Sequence, residues 1–189
     1  MPIRIIVSQT TPPEPVQTFF TAGDDFDQVF FNITNTSIFR TQNYVRIFAP
    51  NEHGYMRFPN ITIPQGSTIT EAYMQVVQFA NATGTRTITI AGNDVDDAPQ
   101  VETAAQGQAL VQTSATVDTV SVAQSEGATY VTDDLSTIVQ EIVNRPGWAS
   151  GNALAFELWI DDGIRWWSSY HNRASLAQPE FHVNFTPPA

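Results

Sequence analysis

Cysteine is absent from this sequence, and so is lysine. The first absence excludes disulfides, thiolate metal sites and cysteine nucleophiles. The second removes Schiff-base and amine-nucleophile chemistry. All eight basic residues are arginines, set against 19 acidic ones, for a formal net charge of −11. Phosphate backbones need clustered positive charge, so nucleic acid is excluded as a general partner. No apolar run approaches the ~20 residues of a membrane span, and no apolar h-region follows Met1. The expectation is a protein made in the cytoplasm, without a signal peptide and without a membrane partner. No internal repeat or linker divides the chain.

What is present points to β-structure. The chain is rich in Thr, Val, Ile and Phe, and its turns are punctuated by 10 Gly and 12 Pro. At 189 residues it can bury one core without staples. Strands are expected at 28–33, 44–48, 53–58, 68–79, 85–91, 164–170 and 181–185, with weaker candidates at 109–112 and 117–122. The weakly patterned stretch 98–128 belongs at a sheet edge. Residues 1–20 read as an N-terminal arm ahead of a sandwich domain over 21–189. In the arm, Ile3 and Ile5 alternate with Arg4 and Ile6 ahead of the stiff run TPPEP. Such a segment can add as a strand to a neighbouring sheet edge, with Ile3 and Ile5 filling pockets there.

The stretch 133–161, DDLSTIVQEIVNRPGWASGNALAFELWID, is the most sharply patterned. Leu135, Ile138, Val139 and Ile142 fall at i, i+3, i+4 and i+7, the apolar stripe of a short helix over about 133–145. Asp133 or Asp134 suits its N-terminus, Arg145 its last turn, and Pro146-Gly147 ends it. From Asn152 the period becomes two, so a central strand follows. The fold class is all-β, a β-sandwich plugged by one short α-helix.

Candidate chemistry is sparse. Asp94, Asp96 and Asp97 gather carboxylates beside Asn93 in a loop, the hard oxygen set that a structural calcium takes; no other cofactor is implied. In IRWWSSY, Arg165 and Trp167 share one face and Ile164 and Trp166 the other. With Arg165 and Trp167 outermost, the strand stacks on a glycan ring or anchors a partner subunit; buried on both faces, its indoles fill the core. His53, His171 and His182 lack metal-ligand spacing. Ser168, His171 and Asp161 lack a nucleophile elbow. Glu71 and Glu157 are conceivable as paired glycosidase carboxylates only if they share a cleft. No enzymatic activity is expected.

Several segments together resemble a known family: MRFPNITIPQGSTITEAYMQ at 56–75, DLSTIVQEIVNRPGWASGNALAFEL at 134–158, IRWWSSYH at 164–171 and QPEFHVNF at 178–185. This order is similar to the disaggregatase-related (DNRLRE-type) jelly-roll domains, over roughly 54–186. Where that family often has Ser-x-Glu, this chain has Ser169-Tyr170-His171. The resemblance implies a jelly roll like that of carbohydrate-binding modules, as found in virion proteins of tailed bacteriophages. The expected function is a non-enzymatic structural virion protein: a capsid decoration (cement) protein, or another tail or fibre surface component. Its partners would be capsid or other virion proteins and further copies of itself, as a homo-oligomer. The alternative is a carbohydrate-binding module that attaches to a cell-surface glycan.

Overall fold

The computed structural model describes residues 13–24, 26–172 and 175–188. Two antiparallel sheets pack face to face as a sandwich. In chain order the strands are β1 (Val16–Thr21), β2 (Gln28–Asn32), β3 (Ile38–Phe39), β4 (Tyr44–Phe48), β5 (Glu52–Phe58), β6 (Thr68–Val77), β7 (Arg86–Asn93), β8 (Gln112–Ser121), β9 (Thr129–Val131), β10 (Leu154–Ile160), β11 (Ile164–Ser168) and β12 (Glu180–Thr186). Helix α1 (Ala104–Gln108) lies between β7 and β8, and α2 (Ser136–Val143) between β9 and β10. The smaller sheet runs β1-β12-β6-β9; the larger runs β11-β4-β5-β10-β7-β8, with the β2–β3 hairpin also on β5. From β5 onward the chain crosses repeatedly between the sheets.

The helix is where its stripe places it. Leu135, Ile138, Val139 and Ile142 are all fully buried, and α2 packs on β6, β7 and β8. Gly92 in β7 permits the approach, since a Cβ there would stand 2.7 Å from both Ile138 and Ile142. The helix is shorter than 133–145: it ends at Val143 with Asn144 as C-cap, and Leu135 is the N-cap, without a side-chain cap bond.

Asp134 accepts from Ser136 N, the first residue of α2, at 3.0 Å, and it also serves a second end. The β9 ladder covers only Gln75–Val77 of β6. Beyond it, the next edge amides of β6 are taken by side chains. Met74 N donates to Thr132 Oγ1, Ala72 N to Asp134 Oδ1 and Ile69 N to Gln140 Oε1, at 3.0, 2.9 and 2.9 Å. The same device ties α2 to β8, where Ser114 N and Ala115 N donate to the Glu141 carboxylate.

Three boundaries differ from the sequence reading. Residues 16–20, assigned to the arm, form the edge strand β1 in register with β12, because Phe20 alternates inward to stack on Phe181. Ile3 and Ile5 lie outside the described residues. The stretch 98–128 holds a second helix, α1, fixed by a capping box between Thr103 and Gln106, and one ten-residue strand, β8, instead of two short ones.

Candidate binding faces

Side chains on alternate residues of the larger sheet point away from the core. On its outer face one row crosses five strands: Phe31, His53, Trp159, Thr89 and Asp118. Phe31 pairs with His53, Trp159 with Thr89 and Thr89 with Asp118 across the strands. The His53 ring stacks on Trp159 at 5.6 Å, and Thr89 Oγ1 donates to Asp118 at 2.8 Å. Beside this row sits Glu157, buried although it faces outward. His53 Nδ1 lies 2.6 Å from one of its oxygens, and Gln112 Nε2 donates to the other at 2.9 Å.

Residues 94–111 lie over half of this face. Ala98 and Val101 bury against Val29, Phe31, Tyr55 and Ala155, forming a second small core. Arg57, on β5, tethers the flap: it donates to the Ala98 carbonyl at 2.7 Å and pairs with buried Asp27 at 2.5 Å. Tyr55 donates to the Pro99 carbonyl at 2.8 Å, and burial pushes its phenol well above the ordinary range. The flap leaves Trp159, Thr89 and Asp118 uncovered, Trp159 half-buried and Asp118 exposed.

The smaller sheet carries its own aromatic row. Phe19, His182 and Tyr73 stand opposite one another on β1, β12 and β6. Their rings stack at 5.5 and 4.9 Å. The flanking rows are polar, Gln17–Asn184–Glu71 on one side and Thr21–Glu180–Gln75 on the other.

Arg165 and Trp167 are on neither face. Of the two readings of this strand, the one with its indole filling the core holds for Trp167: it has 0 % exposure and Arg165 1 %, while Trp166 is half-buried on the other side of β11. Trp167 stacks on Tyr130 at 5.5 Å inside the sandwich. Arg165 spans the interior to β8, donating to Ser121 Oγ and to the Ser121, Gly84, Thr83 and Ile164 carbonyls. Its guanidinium fork saturates backbone acceptors at one end of the sandwich, and burial lowers its pKa. Neither side chain can meet a glycan or partner in this fold.

The carboxylates proposed for calcium are also engaged. Asp94 and Asp96 both pair with Arg145, the cation beyond α2, and Asp97 accepts from Ala153 N at 2.8 Å. Gly147 sits so close to Asp96 that a Cβ there would fall 2.1 Å from its carboxylate. With a guanidinium between two of the three, the set does not fit a cation. Among the described residues no group of three His, Asp or Glu is arranged to hold a metal.

Glu71 and Glu157 stand on opposite outer faces of the sandwich, so they share no cleft. Asp161 and Ser168 flank opposite ends of β11. A shallow groove of about 390 Å³ runs beside α2, lined by Ile69, Thr137 and Gln140 among others.

Trp159 and His53 were missed in the sequence; the signal that could have found Trp159 is Glu157, two residues before it on the same face of its strand. No protein-family model matches the chain, and no curated protein matches it at a significant level.

Proposed function

We propose that this chain is a non-enzymatic structural component of a tailed-bacteriophage particle, a capsid decoration (cement) protein or another tail or fibre surface protein. The observation that carries this reading is the character of the two faces. Each presents a row of stacked aromatic rings with polar neighbours, Phe19–His182–Tyr73 on one sheet and His53–Trp159 on the other. Small substrates are bound in concave pockets with convergent polar groups. Aromatic surfaces ringed by polar side chains suit macromolecular partners.

The charged groups support the same reading. Glu157, Asp94, Asp96, Asp27 and Glu52 are each paired with a His or Arg of this chain. They brace the fold instead of awaiting a substrate. A sandwich with two such faces adds contact area across a joint between capsomers, and the resemblance to jelly-roll virion proteins agrees with that role.

The second reading, attachment to a glycan, has one specific observation in its favour. Half-buried Trp159 lies outside the flap beside the acceptors Thr89 and Asp118, a pairing that suits stacking on a sugar ring and accepting from its hydroxyls. It moves the glycan site from Trp167 to Trp159.

Mass spectrometry of gradient-purified particles separates the two readings. The structural role predicts the chain in those particles at a fixed copy ratio to the major shell protein. Absence from particles, together with retention on a polysaccharide gel that is lost in Trp159→Ala, would replace it with the glycan reading.

A further inference from the structure

The two faces of the sandwich differ in cover and in charge. On the larger sheet, residues 94–111 fold over part of the outer face and bury Phe31 and Tyr55. On the smaller sheet, none of the nine residues in the three outward rows is buried. No described segment lies across that face.

Charge divides the same way. Strands β1, β6, β9 and β12 and helix α2 contain no arginine, and the chain has no lysine. Arg46, Arg57, Arg86 and Arg165 are all on strands of the larger sheet. The smaller sheet's outward rows therefore hold two carboxylates, Glu71 and Glu180, and no basic residue beyond His182.

These carboxylates stand one on each side of the row Phe19–His182–Tyr73. Each engages a neighbour on the face through one oxygen. Asn184 Nδ2 donates to Glu71 at 2.6 Å, and His182 Nε2 lies 2.9 Å from Glu180. The other oxygen of each is without a partner among the described residues and can accept from outside. The rings do not form a sugar platform: with Phe19 and Tyr73 stacked on its two sides, His182 offers neither ring face.

We infer that this face docks a basic protein surface, whose arginine or lysine side chains lay their stems along the ring row and their heads on Glu71 and Glu180. Sign and shape select the occupant. A chain carrying −11 repels a second copy, nucleic acid and anionic glycans, and a neutral glycan lacks an open ring face at the centre of the row. Long basic side chains use both parts of the face. Their methylene stems are apolar, and their heads form charge-assisted hydrogen bonds with carboxylates. The inference is independent of the particle assignment, and its test uses no particles.

The probe is a hexa-arginine peptide, titrated at low salt into the isotope-labelled full chain and read by amide NMR shifts. Shifts should concentrate on β6 and β12 around Glu71, Tyr73, Glu180 and His182, and fade as salt is added. The double variant Glu71→Gln/Glu180→Gln should bind the peptide about fivefold more weakly, with an unchanged melting temperature. A charge-matched control, Asp118→Asn/Asp161→Asn on the larger sheet's side, should bind like wild type. Any of four results would overturn the inference. They are shifts spread evenly over the acidic surface; equal weakening in the two double variants; binding indifferent to salt; or no shifts at all, as when the chain's own residues 1–12 cover the face.

Discussion

Arg165 shows how far a single residue can mislead. An arginine beside a tryptophan on a strand reads as a surface anchor, because charged groups are rarely fully buried without a partner. Here the partners are hydroxyl and carbonyl oxygens from three separate segments. No local pattern encodes them, since Ser121 and Gly84 reach Arg165 only after the sandwich closes. The structural role has a sharp consequence. Arg165→Ala would remove the charged donor from the buried Ser121 hydroxyl and carbonyl, at a cost on the order of 3 kcal/mol. Arg165→Lys would recover little of it, because an ammonium lacks the planar fork. Chemical denaturation reads the loss directly. A variant with wild-type stability but failed assembly would return Arg165 to an interface.

At the scale of elements, α2 was the most legible piece and its connections the least. The i, i+3, i+4, i+7 stripe located its buried face, and Ile142→Ala should cost on the order of 2–5 kcal/mol through lost transfer energy and cavity. A melting temperature within a degree or two of wild type would make the helix peripheral. What the stripe could not reveal is that Thr132, Asp134 and Gln140 extend the β9 ladder along β6, because a hydrogen bond between residues some sixty positions apart has no sequence period. Asp134 gives that contact a pH signature. Burial alone would raise its carboxyl, but the hydrogen bonds from Ala72 N–H and from Ser136 outweigh it and hold the group below its ordinary 3.8. A depressed folded pKa contributes stability that is complete above the unfolded value and lost as pH falls through the folded one. Wild type should therefore lose stability relative to Asp134→Asn below about pH 4, and the gap between their melting temperatures should narrow as the solution is acidified. A gap independent of pH would contradict the role of the carboxylate charge.

For the whole molecule, composition and alternation were enough for the class, an all-β sandwich with a helix. They did not show that β1 belongs to the sheet, because VQTFFT follows a proline-rich run and is too short to stand out. Nor did they show which outward aromatics remain open, since that depends on where residues 94–111 fold back over Tyr55 and Phe31. With that flap in place, each face keeps a row of stacked aromatic rings with polar neighbours, and the central proposal is that these rows serve attachment within a particle. The most direct measurement is add-back: purified full chain titrated onto particles assembled without it, with bound copies counted and the temperature of genome release followed. The account predicts saturation at a fixed number of copies per particle and a higher release temperature. Particles that neither bind the chain nor gain stability from it would contradict the claim.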